Sequence, residues 1–246
     1  MAQAAKHRHA PETGYARGEE TRARIVTTAL RLFGEHGFDG ASTRDIAAAA
    51  GVNAPALQYY FDSKEGLYLA CVEHIVEQVW AEMSEVVEAA EKSLKERAPD
   101  ADLIEAFCAI QARMAEWVFT FSGASDWRLF MARQQGGTEP ASGFEILHER
   151  VHRRMSAVTA GIVGRLIGRP PRDSETLIRT MALQGQMVVF QIKRRSMLAA
   201  LNWDSLNASR IALLKRIVRE HTTALLESMV AIRDRDGART PKRVTK

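Results

Sequence analysis

From Thr21 to Leu67 the chain reads TRARIVTTALRLFGEHGFDGASTRDIAAAAGVNAPALQYYFDSKEGL, a run of short apolar repeats punctuated by glycine. Ile25, Ala29, Leu32 and Phe33 recur at i, i+4, i+7 and i+8, which is one apolar stripe of a helix. Gly34 and Gly37 end it, and Gly37 is the expected left-handed cap. Ser42-Thr43-Arg44-Asp45 has the form of a capping box opening a second, short helix with Ile46, Ala47 and Ala50 inward. Gly51 stops that helix after about two turns. Asn53 then suits the N-cap of a third helix, and Pro55 is tolerated because it lies in the first turn. Leu57 and Phe61, four residues apart, face the core. Asp62-Ser63-Lys64-Glu65 caps a fourth helix carrying Leu67, Cys71, Ile75, Val79 and Met83.

Two short helices joined by Gly51-Val52 behind a supporting helix have the layout of a helix-turn-helix. Val52 fills the small core between them. The second helix presents Asn53, Ala54, Pro55, Ala56 and Gln58, side chains small or polar enough to enter a major groove. With its Thr43-Arg44, Gly51-Val52, Leu57-Gln58-Tyr59-Tyr60-Phe61 and Ser63-Lys64-Glu65-Gly66-Leu67, the stretch resembles the DNA-binding domain of TetR/AcrR-type transcriptional regulators. The resemblance implies an all-α homodimer with two DNA-binding heads and a C-terminal ligand pocket. It implies further that Thr43 touches a phosphate and that Arg44 reaches a base edge or phosphate. Asn53, Ala54, Pro55 and Gln58 then lie against base edges, with Tyr59 and Tyr60 near backbone and thymine methyls. Lys64 binds phosphate at the start of the next helix, aided by its dipole. Gln58 stands where the family more commonly has Tyr. Glutamine can bind adenine N6 and N7 together, so this departure bears on the sequence recognised.

Outward from this core the chain stays helical. Residues 1–18 lack periodicity and read as a disordered arm, residues 19–66 as the head, 67–232 as an effector-binding and dimerisation domain, and 233–246 as a basic tail. Pro99-Asp100 marks a boundary, after which Leu103, Phe107, Ile110, Met114, Trp117 and Phe121 form an amphipathic helix. Helices are expected over Phe144–Ile167, Ser174–Leu198 and Ser205–Ile232, with short segments around Trp127–Met131 and a stop at Gly168-Arg169-Pro170-Pro171. The last two are candidates for an intersubunit four-helix bundle. No strand alternation or internal repeat is evident.

The chain has 246 residues, 46% of them hydrophobic, and a formal charge of +4. The tail after Val230 carries six basic and two acidic residues, so the basic balance is a property of the tail and weak evidence for nucleic acid. No stretch is long and apolar enough for a membrane span, and no apolar segment follows the N-terminal Met1 as in a signal peptide. Two cysteines, Cys71 and Cys108, make no disulfide framework, and a cytoplasmic location with reduced thiols is expected.

Three other signals compete. His148-Glu149-Arg150-Val151-His152 matches H-E-x-x-H, which on a helix puts two imidazoles on one face for zinc and a glutamate as base. A metal site or hydrolase is therefore an alternative, although Arg150, Arg153 and Arg154 oppose a dication and no third ligand follows. Cys71 and Cys108 admit a redox sensor, but both lie on apolar stripes where a thiol acts as a small hydrophobe. An effector-independent DNA-packing protein is the third alternative. Against it stands a large C-terminal half dense in Met and aromatic residues, which fill a core and can also line an apolar cavity. Phe107, Met114, Trp117, Phe121, Trp127, Met131, Phe144, Gln184 and Met187 are the candidate effector residues, with Gln184 and Gln186 as polar contacts or dimer-interface bonds. No Walker loop, G-x-S-x-G or G-x-G-x-x-G is present, and no cofactor is expected.

Overall fold

The computed structural model describes residues 12–120 and 124–239, and every regular element among them is helical. In order they are α1 (Glu12–Gly40), α2 (Thr43–Ala49), α3 (Ala54–Phe61), α4 (Lys64–Lys95), α5 (Asp100–Thr120), α6 (Ala124–Gln135) and α7 (Ala141–Leu147). One π-helical turn, His148–His152, leads into α8 (Arg153–Ile167), followed by α9 (Ser174–Ile192), α10 (Arg194–Ala200) and α11 (Ala208–Arg239).

These divide into two compact units. The first comprises the chain to Ile75 together with Ser125–Ile146; the second is Val76–Ala124 with the chain from Leu147. The expected boundary at residue 66 therefore falls later, and the first unit takes in α6 and α7 from the middle of the sequence. Its core is Ile25, Val26, Ala29, Leu30, Phe33, Ile46, Leu57, Phe61, Leu67 and Cys71, all buried. Tyr68 sits among Phe33, Phe38 and Phe130 with ring centroids 5.1, 5.4 and 4.9 Å away. Leu32, expected on the buried stripe, is only half-buried, because Val26 and Leu30 take the inward angle.

Several helix ends differ from expectation for local reasons. α1 starts at Glu12, so the expected arm is helical from that residue, while residues 1–11 lie outside the described residues. Its helical run breaks at Gly37, whose φ of 78° and ψ of 171° suit glycine alone. The expected long helix over Ser174–Leu198 breaks at Lys193, which carries φ −96° and ψ 25° and separates α9 from α10. α11 begins at Ala208 rather than Ser205, because Asn207 supplies the cap: its side-chain oxygen accepts the Arg210 N–H at 3.0 Å. It continues to Arg239, into the expected basic tail; residues 240–246 lie outside the described residues.

In the second unit, a Cβ on Gly161 would stand 3.0 Å from Leu94 and one on Gly164 2.7 Å from the Arg169 carbonyl oxygen, so both glycines permit close packing. No helix among the described residues is long and apolar enough to cross a membrane.

Candidate nucleic-acid interface

Each end of the α2–α3 pair is fixed by its own sequence. The Ser42 hydroxyl accepts the Asp45 N–H at 3.1 Å and starts α2. The Asn53 side chain accepts the Ala56 N–H at 2.8 Å and starts α3. From α1, Arg24 donates Nε to the Ala50 carbonyl at 3.0 Å, closing the end of α2. Ile46, Ala47, Leu57 and Phe61 are buried beneath the pair, as their spacing requires. The Ser63 hydroxyl accepts the Gly66 N–H at 2.9 Å at the head of α4. Gly66 itself lies so close to the Phe61 carbonyl that no Cβ fits between them.

The expected contact residues divide by exposure. Arg44, Asn53, Ala54, Pro55, Gln58 and Tyr59 are exposed, Thr43, Tyr60 and Lys64 half-buried. Tyr59 is 83% exposed and meets Tyr60 edge-on at 5.4 Å. Lys64 is less free than its sequence position implies. Its ammonium lies 4.7 Å above the Phe38 ring and donates to the Asp39 carbonyl at 3.4 Å, which leaves further N–H donors for a phosphate.

Residues 25–71 match the family model of bacterial regulatory proteins of the tetR family, and residues 103–229, half the chain, match the model for the C-terminal domain of the HTH-type transcriptional dual regulator CecR. The chain belongs to the TetR family of transcriptional regulators. It is 27% identical to the CecR regulator of Shigella flexneri over 213 residues, spanning 87% of this chain and 94% of that protein. The fold is similar to that of AmtR from Mycobacterium smegmatis, with a TM-score of 0.54, 19% identity and coverage of 89% of this chain and 96% of that one. It is similar also to the TetR-family regulator PfmR from Thermus thermophilus, with a TM-score of 0.51, 19% identity and coverage of 83% and 97%.

In this TetR-family regulator the candidate effector residues are divided between the units. Phe107, Met114, Trp117, Gln184 and Met187 belong to the second, Trp127, Met131 and Phe144 to the first, and Phe121 lies outside the described residues. Met187 packs with Ala115 and Val218, beside Phe119 and Phe190. Near it runs a buried polar chain that sequence reading captured only at its α9 end. Gln111 donates to the Leu183 carbonyl at 2.9 Å and accepts from the Thr222 hydroxyl at 2.9 Å, and Gln186 donates to that hydroxyl at 3.3 Å. Gln184 donates to Thr159 at 3.1 Å. The Thr176 hydroxyl, fully buried, has no hydrogen-bond partner among the described residues.

The H-E-x-x-H motif of the regulator occupies the π-helical turn, not α-helix. Glu149 pairs with Arg153 at 2.6 Å. The two imidazoles stand edge-on at 6.4 Å, and no group of three or more His, Cys, Asp or Glu side chains suited to a metal exists among the described residues. The turn is instead fastened to α4: the Trp80 indole donates to the Arg150 carbonyl at 2.8 Å, and its ring lies 4.9 Å below Arg154, itself forked onto Glu91 at 2.9 and 2.8 Å. Burial, then the neighbouring His148, pushes the His152 imidazole below its ordinary range. Cys71 and Cys108 are buried, and burial raises both thiols, which withholds the thiolate that redox sensing needs.

Sequence reading missed Arg133 and Glu139. Arg133 donates to the Gly34 carbonyl at 2.7 Å and the Glu35 carbonyl at 2.8 Å, and Glu139 accepts the Phe38 N–H at 2.9 Å. They terminate α1 from nearly a hundred residues away, and no local pattern announces that.

Proposed function

We propose that the chain is a homodimeric repressor that reads a palindromic operator through α3 and releases it when a small apolar or amphipathic effector binds its C-terminal half. One observation carries this reading: Arg44, Gln58 and Tyr59 are exposed on α2 and α3 with no hydrogen-bond or ion-pair partner among the described residues. A guanidinium, an amide and a phenol held this way match phosphate, adenine edge and backbone respectively.

The dimer reading rests on α9. Ile178, Met181, Gly185, Val189 and Ile192 follow one another at steps of three and four and are all exposed, Ile178 by 66% and Ile192 by 74%. A Cβ on Gly185 would meet nothing within 4 Å, so the middle of this seam is open to a second α9. A two-fold pairing there presents two α3 helices to half-sites a whole number of turns apart, about 34–36 Å each. For the effector, the Gln111–Thr222–Gln186 chain and the unsatisfied Thr176 hydroxyl favour a molecule with neutral hydrogen-bonding groups on an apolar body.

Fluorescence anisotropy on DNA from upstream of the chain's own coding region, beside scrambled DNA, tests the reading. Preference of ~10³ or more for the former supports it, and equal weak binding to both overturns it. The Shigella flexneri relative is named a dual regulator, which favours a second reading in which operator position decides between repression and activation. A reporter with the operator placed upstream or downstream of the promoter separates the two.

A further inference from the structure

α1 begins at Glu12, well before Thr21, where the resemblance to DNA-binding heads starts. One contact from the extension itself, and two from the turn of α1 that follows it, place its end beside the recognition pair. A Cβ on Gly18 would lie 3.9 Å from the Tyr60 hydroxyl oxygen. The Arg22 guanidinium is 5.4 Å from the centre of the Phe61 ring. Arg24 reaches the Ala50 carbonyl, the last residue before Gly51 and the turn into α3. α1 thus passes the C-terminal end of α3, and the Tyr60 hydroxyl, which has no hydrogen-bond partner among the described residues, lies against Gly18.

Arg17 occupies this edge. It is the neighbour of Gly18, and seven residues before Arg24 it shares Arg24's face of the helix to within about 20°, about 10 Å nearer the N-terminus. It is exposed, and its guanidinium has no hydrogen-bond or ion-pair partner among the described residues. Glu20, the nearest acidic position on the helix surface, makes no ion pair with it among those residues. Arg31, by contrast, on the same helix, is engaged by Glu35 at 2.9 Å.

We infer that the N-terminal extension of α1 is a third DNA-contacting element, in which Arg17 binds a backbone phosphate flanking the bases read by α3, with the Tyr60 hydroxyl beside it. This rests on the operator reading above. A phosphate contact carries no base preference but releases counterions, so it raises affinity and salt dependence together.

The test is a salt series of operator binding by the full chain as Arg17→Ala, Arg17→Lys and Arg31→Ala. Each lost phosphate contact lowers the slope of log K against log salt by about 0.9, hence about 1.8 for a dimer. Arg17→Ala is expected to show that loss, so that the wild-type advantage shrinks by about tenfold between 50 and 200 mM salt. Base preference in a random-library selection stays unchanged, Arg17→Lys regains most of the slope, and Arg31→Ala keeps it. An unchanged slope in Arg17→Ala, or an equal loss in Arg31→Ala, overturns the inference alone. A wild-type chain that does not distinguish operator from scrambled DNA overturns the operator reading and this one with it. The Arg17 carbonyl accepts the Thr21 hydroxyl at 2.9 Å while its side chain makes no hydrogen bond or ion pair among the described residues, so that side chain can be removed without unfolding the head.

Discussion

In the operator reading proposed above, Gln58 is the residue that sets base preference. Exposed on α3 between the buried Leu57 and the exposed Tyr59, it offers an amide where an adenine edge can take both of its hydrogen bonds. Gln58→Ala is expected to relax preference at one base pair per half-site by about 1–3 kcal/mol while leaving the melting temperature unchanged; a selection from random DNA measures it. The head was legible in the sequence at this scale because its determinants are local. Ser42 and Asn53 cap helices that start one residue later, and Leu57 and Phe61 fall on one face by spacing alone. Lys64 shows the limit of such reading, since its partner ring, Phe38, belongs to another element. The same limit hid Gln111 and Thr222, ordinary letters on two helices that become a polar chain only when α5 meets α11.

Between elements, the end of α1 and the π-helical turn each depend on a distant side chain. Arg133 takes the Gly34 and Glu35 carbonyls that a helix end leaves unsatisfied, and its positive charge suits that end of the dipole. Arg133→Ala is expected to destabilise the first unit by about 1–3 kcal/mol, with faster amide exchange over residues 34–38 than over α3. The π-helical turn could not be read from His148–His152, because its cause is the insertion of one residue into a helix otherwise continuous from Ala141 to Ile167, stitched down by Trp80. It also makes a pH prediction. With the His152 imidazole held below its ordinary value, the folded protein binds fewer protons than the unfolded chain wherever free imidazole is charged. Stability is therefore whole above about 6.5 and falls as pH drops through it. Denaturant melts between pH 8 and 5 are expected to show this fall in the wild type and a shallower one in His152→Gln.

For the molecule as a whole, the dimer reading proposed above makes the apolar seam of α9 the place where two chains meet. Met181, 64% exposed, and Val189, 44% exposed, would be covered in such a pair. Gly185→Phe is expected to prop the seam apart, shifting the sedimentation coefficient to that of a monomer. Binding to a full palindrome would fall at least tenfold, with half-site binding little changed. A dimer that persists undiminished would direct attention away from α9. Sequence periodicity placed the start of this helix at Ser174 but carried it past its end at Ile192, and gave no sign of which side faces outward, because Ile178 and Leu183 are equally apolar letters.

The closure of α1 by Arg133 and Glu139 has a consequence for the birth of the protein. A ribosome delivers α2 and α3 long before residue 139, so the nascent head waits with the last turn of its first helix unclosed. At about 5–20 residues per second the interval is about 4–16 seconds. A fully closed head therefore exists only once more than half of the polypeptide has been made, and a message cut short after α4 yields a head without its clasp.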